Sequence, residues 1–188
     1  MTVILDNGHG KETAGKRSPV WPDGSQLFEY EFNRDIVRRI HEEIPETIIL
    51  VPELNDISLF ERVSRCNKIA MRGDTSKTLL LSVHANAGGG TGWEAFTSVG
   101  NTASDEYAEK IYEEAALLLP QFKMRKDETD GDLDKEAHFY IIEKTYCPAI
   151  LTENLFMDTL EDCKFLMSEE GRNTIAQIHI NFIRKWAK

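Results

Sequence analysis

Six short apolar runs, TVILD, TIILVPE, TLLLSVHAN, GWEAFTS, HFYIIE and PAILTE, punctuate this 188-residue chain, starting at Thr2, Thr47, Thr78, Gly92, His138 and Pro148. Runs this short and rich in β-branched residues read as strands, and the stretches between them place apolar residues at helical spacing. One such stripe is Phe28, Phe32, Ile36, Val37, Ile40 and Ile44, and a second is Leu59, Val63, Cys66 and Ile69. A third joins Tyr107, Ile111, Ala115 and Leu118, and a fourth, preceded by the acidic SEEGRN, joins Ile175, Ile178, Phe182 and Trp186. Strand and helix in alternation predict an α/β fold: a single three-layer domain over residues 1–188, with a mostly parallel or mixed, twisted six-stranded sheet and helices on both faces. The charged stretch QFKMRKDETDGDLDKEAH, after Pro120, has no usable period and is expected as a surface loop.

Composition removes several function classes. The formal net charge of −10 repels a polyanion, so no nucleic-acid partner is expected. No apolar run approaches the roughly 18 residues of a membrane span, so no membrane insertion is expected. Cys66, Cys147 and Cys163 are odd in number and widely spaced, which fits buried free thiols better than a disulfide framework or a metal knuckle. The N-terminus shows no basic and apolar signal-peptide regions. A monomer is expected.

Two histidines sit where an apolar run gives way to a loop: His9 in LDNGHG and His84 in LLLSVHANAGGG. The carboxyl edge of an open α/β sheet is where ligands bind. Glu29, in LFEYEFN, opens the first helical stretch, with Asn33 one turn on and on the same face. Two imidazoles and a carboxylate are the three protein ligands of a catalytic zinc site that keeps its fourth position for water. Glu153 ends the apolar PAILTE and is either solvent-facing or placed for chemistry. A ligating imidazole needs a partner for its second nitrogen; Asp6, Asn7, Ser82 and Asn86 are candidates. Gly8 and Gly10 are expected to turn the backbone and leave space around His9.

Other residues have plainer readings. His41 is expected to be exposed, and His179 to pack at the edge of an apolar stripe. His138 opens a strand beside the charged loop, within reach of a substrate. Glu31 and Asp35 favour the dipole of the first helix, and Glu94, alternating with Trp93 and Phe96, is expected to face water or a cleft rim. NAGGGTGW lacks the GK[ST] ending of a phosphate loop and reads as a flexible rim.

Taken together, these motifs resemble the zinc-dependent N-acetylmuramoyl-L-alanine amidases. LDNGHG is similar to the family's D-x-G-H-G turn, EYEFN to E-x-x-x-N, LFERVSRCN to L-x-x-R-x-x-x-x-N, LLLSVHAN to S-x-H-A-N, GWEAF to G-x-E-x-F, and PAILTENLF to P-a-x-L-x-E-x-G-F. The resemblance implies that His9, Glu29 and His84 hold one zinc ion and that Glu153 is the catalytic carboxylate. It implies peptidoglycan as substrate, cut between N-acetylmuramic acid and the L-alanine of the stem peptide. The family's glycine two residues after the glutamate is Leu155 here, while Phe156 is kept. Only a few residues follow GWEAFTS before the next helix, so the blocking helix of several periplasmic members is not expected. The expected site of action is the bacterial cell wall, reached by release as a phage or prophage type endolysin or through a leader no longer attached. A zinc peptidase or deacylase would share the site; a non-catalytic wall-binding module would not need all four residues.

Overall fold

The computed structural model describes residues 1–129 and 131–187. In chain order the elements are β1 (Thr2–Asn7), α1 (Glu29–Glu43), β2 (Ile48–Ile49), α2 (Leu59–Ala70), β3 (Thr78–Asn86), β4 (Trp93–Thr97), α3 (Ala103–Leu118), β5 (Lys135–Glu136), α4 (Tyr140–Glu143), β6 (Ala149–Phe156), α5 (Leu160–Met167) and α6 (Glu169–Trp186). The strands form one sheet in the order β2-β1-β3-β6-β4-β5. All neighbours are parallel except β4 and β6, so the sheet is mixed.

Consecutive residues of a strand point to opposite faces, and here both faces are apolar. Leu5, Leu81 and Ile150 lie in one core with Phe32 and Ile36 of α1, Ile111 of α3 and Ile178 and Phe182 of α6. Ile4, Leu80 and Leu151 lie in the other, against Val63 and Cys66 of α2 and Ile141 and Ile142 of α4. Helices therefore cover both faces, as the apolar runs require. The three cysteines are buried free thiols.

The elements depart from the sequence reading in four places. HFYIIE is not a strand: its last four residues form α4, and the strand that takes its place among the six is β5, Lys135–Glu136, inside the stretch expected as loop. Ile141 and Ile142 are adjacent and both buried on the same side of the sheet, which a helical turn permits and a strand does not. TIILVPE contributes only Ile48–Ile49 as an edge strand, since Pro52 has no N–H to add to a ladder. The stretch after Thr159 adds an unexpected helix, α5, and Ser168 caps α6 by accepting from Gly171 N, so SEEGRN opens the last helix instead of preceding it. Trp186, expected in the core, is 44% exposed and lies over Lys110.

Candidate metal centre

One register line across the sheet places the chemistry. His84 of β3 pairs with Glu153 of β6, which pairs with Glu94 of β4, and one step earlier Asp6 of β1 pairs with Ser82. Paired residues share a face, and this is the face covered by α2 and α4. Where that apolar cover ends, a cleft of about 560 Å³ opens, lined by Gly8, His9, Lys16, His84, Tyr140 and Glu153 among others.

His9, Glu29 and His84 offer ligand atoms that all lie within 4.8 Å of one another. His84 Nδ1 is 3.0 Å and His9 Nε2 3.3 Å from Glu29 Oε1. Glu29 opens α1 and is only 1% exposed. Burial opposes its charge, yet the hydrogen bonds from His84 and His9 outweigh it and hold the carboxyl well below the usual carboxylate range. Burial also pushes the His84 pKa down, and Glu29 more than reverses this. Glu29 Oε2 is buried with no hydrogen-bond partner among the described residues. Two imidazoles, a carboxylate kept ionised and a carboxylate oxygen with no hydrogen bond, its one ion pair among the described residues being Lys16 Nζ at 4.0 Å, fit a divalent cation of the zinc type.

The turn that carries His9 is built differently from the expectation. Neither Gly8 nor Gly10 takes a left-handed backbone; His9 itself does, at φ 66°. Gly8 serves the site by what it lacks, because a Cβ there would lie 2.0 Å from the His84 ring. A Cβ at Gly10 would instead strike the backbone of Asp56 at 2.2 Å. The carbonyl of His9 accepts from Arg34 Nη1 and Arg62 Nη2, and Asn33 Nδ2 donates to Gly8 O. Helices α1 and α2 thus clamp the turn from two sides.

Of the four candidates behind the imidazoles, Ser82 and Asp6 act together. His84 Nε2 lies 3.1 Å from Ser82 Oγ, whose single proton goes to Asp6 Oδ2 at 2.7 Å. Ser82 therefore accepts from His84 Nε2, which turns Nδ1 toward Glu29. Arg62 Nη1 holds the other Asp6 oxygen at 2.6 Å. Arg62 and Asn67, the two polar positions of the L-x-x-R-x-x-x-x-N motif, are structural: Asn67 bonds Lys144 O and Tyr146 N, tying α2 to the segment after α4. Asn7 bonds Val51 O and Asn86 bonds Glu94, so neither supports a histidine.

Glu153 stands next to His84 in register, with Oε2 buried and unpartnered among the described residues. Burial pushes its carboxyl up to about 7. Just beyond it the pairing shifts, and Leu155 takes a left-handed backbone at φ 64°. Leu155, where the resembling motif has glycine, is the residue that bulges the end of β6.

The remaining candidates separate clearly. His138 is 78% exposed, beside Glu143, and lines the cleft with Phe139 and Tyr140. His41 is half-buried and bonds Thr47 Oγ1, and His179 is fully buried between Thr152 and Ile175 O, not at a stripe edge. Glu31 bonds Tyr30 and Asp35 pairs with three arginines, so neither joins the ligand set. Glu94 does not face water: it is 3% exposed and holds Arg125 and Lys135. The glycine loop after Asn86 is pinned by Asp158 and Asp162, which accept from Gly88, Gly89 and Gly92 N.

Fold and site define an α/β domain with a His–Glu–His cluster, able to hold a metal ion, at the carboxyl edge of its sheet. The chain belongs to the N-acetylmuramoyl-L-alanine amidase family, whose model matches residues 3–185. It is 28% identical over 185 residues to the N-acetylmuramoyl-L-alanine amidase CwlM of Bacillus licheniformis, covering 96% of this chain and 66% of that protein. It is 29% identical to the endolysin of Bacillus phage SPP1, covering 94% of this chain and 62% of that one. The chain thus spans less than two thirds of these relatives. Among solved structures, an N-acetylmuramoyl-L-alanine amidase from Clostridium difficile 630 superposes with a TM-score of 0.83 at 22% identity, covering 98% and 95% of the two chains.

Proposed function

We propose that this chain is a zinc-dependent peptidoglycan hydrolase cleaving the amide between the lactyl group of N-acetylmuramic acid and the L-alanine of the stem peptide. The observation that carries the reading is the convergence of His9, Glu29 and His84 beside the buried Glu153 in one cleft, in a chain of this family. His9, Glu29 and His84 would hold the zinc ion, which when bound acidifies water and polarises an amide carbonyl. Glu153 accepts the proton of the attacking water and returns it to the departing amine. A carboxyl raised to about 7 is matched to giving and taking a proton near neutral pH. The Arg62–Asp6–Ser82 chain fixes the tautomer and plane of His84. Phe139 and Tyr140 form an apolar wall of the cleft, suited to the sugar and lactyl carbons.

The reading places the protein's action at the bacterial cell wall, as an endolysin or autolysin. Among the described residues no helix is long and apolar enough to cross a membrane. Digestion of purified wall tests the reading: new N-terminal L-alanine is expected, with no new reducing sugar ends. New D-amino-acid termini would transfer the site to a peptidase, and no release at all would make the chain a binding module. Glu153→Gln is expected to keep its metal content and lose wall lysis by about 100-fold or more; near-parental lysis in that variant excludes Glu153 as the base.

A further inference from the structure

We propose that Arg125 is a substrate-positioning residue that binds a carboxylate on the peptide side of the scissile amide. The inference rests on the amidase reading above and adds a determinant of which stem peptides the cleft accepts.

The register line His84, Glu153, Glu94 sets the order of events across the sheet. The acyl group lies toward His84, and the amine that receives a proton from Glu153 lies on the far side, so the departing peptide extends toward Glu94. Directly opposed residues have Cβ atoms about 5 Å apart, which makes Glu94 the immediate neighbour of Glu153. Glu94 is itself buried and fully engaged. Its Oε1 accepts from Asn86 Nδ2, and its Oε2 accepts from Arg125 Nε at 2.8 Å and forms an ion pair with Lys135 Nζ at 2.6 Å.

Glu94, the strand neighbour of the cleft-lining Glu153, faces two cations, Arg125 and Lys135. Arg125 binds Glu94 through Nε alone, and among the described residues its Nη1 and Nη2 have no partner. The free edge is the fork that grips a carboxylate with two parallel hydrogen bonds.

That fork is held in place. The guanidinium lies over the Phe156 ring at 5.0 Å, the Arg125 N–H donates to Trp93 O, and the Trp93 N–H donates to Lys123 O. Gly92 permits the approach, since a Cβ there would lie 2.1 Å from Lys123 O. At 28% exposure the side chain is ordered yet open to a ligand. Little conformational freedom is left for binding to remove.

Two synthetic muropeptides test the proposal, identical except that the second stem residue carries a free carboxylate in one and a primary amide in the other. The parent is expected to favour the carboxylate by about 10- to 100-fold in kcat/KM. Arg125→Gln should erase that preference through KM, with a larger loss on the carboxylate substrate than on the amide one, and Arg125→Lys should restore part of it. Equal losses on both substrates would mean a structural role and overturn the proposal, as would an unchanged preference. Calorimetric binding of the free acidic peptide, in parent and Arg125→Gln, separates this from the amidase reading. Arg125-dependent binding without hydrolysis of either muropeptide would sink the amidase reading and keep the subsite; Arg125-independent binding would sink the subsite.

Discussion

Two non-glycine residues have left-handed backbones, His9 and Leu155, and each sits within two residues of, or is itself, a proposed participant. A left-handed L-residue costs roughly 1–2 kcal/mol, so both turns must be imposed by their surroundings. His9 is held by the arginines of α1 and α2 on its carbonyl, contacts between segments far apart in the chain. That is why the sequence shows the histidine and its glycine neighbours but not which residue turns. Leu155 was visible as a departure from the motif, while its buried side chain in the larger core was not. Leu155→Gly should relieve about 1 kcal/mol of strain but forfeit a buried leucine, a loss of about 2–5 kcal/mol. A denaturant melt is expected to show a net destabilisation of about 1–4 kcal/mol; a variant more stable than the parent would show that strain, not packing, dominates there.

The long amphipathic stripes of α1, α3 and α6 were legible because their period repeats over several turns, whereas HFYIIE was too short for periodicity to separate strand from helix. Burial at the rim of a stripe depends on neighbours that the sequence does not show. Helix α6 packs between α1 and α3, so His179 is enclosed, donating from Nδ1 to Ile175 O and accepting from Thr152 of β6 at Nε2. Burial pushes its pKa from 6.5 down to about 4. The unfolded chain therefore binds a proton that the folded chain refuses between those values. This contribution to stability is intact above pH 6.5 and declines as pH falls toward 4, by about 3 kcal/mol in all. Replacing His179 by Gln should flatten that part of the profile: the stability difference between parent and variant is expected to shift against the parent from pH 7 to pH 4. A pH-independent difference would place the charged form of His179 in the fold.

At the scale of the molecule, the sheet order does what chain order conceals. His9 follows β1, Glu29 opens α1, and His84 and Glu153 lie within the C-terminal halves of β3 and β6, yet β1, β3 and β6 are successive neighbours in the sheet. The residue types and their strand-end positions could be read from sequence; the adjacency of β6 to β3, which puts Glu153 beside His84, came from antiparallel β4 taking the outer position. Because the three proposed ligands lie on or beside β1, α1 and β3, a cation bound to them would stabilise the whole fold by mass action, about 4 kcal/mol at a thousand times its dissociation constant. For a domain of this size that is a rise of roughly 10 °C in Tm. Treating the zinc-loaded protein with a chelator is expected to lower Tm by that order and abolish wall lysis, and added zinc should restore both. Glu29→Gln removes the anionic ligand, so its Tm should respond to neither chelator nor zinc. A parent protein whose Tm ignores both treatments would separate the fold from the cation and leave His9, Glu29 and His84 as a hydrogen-bonded cluster only.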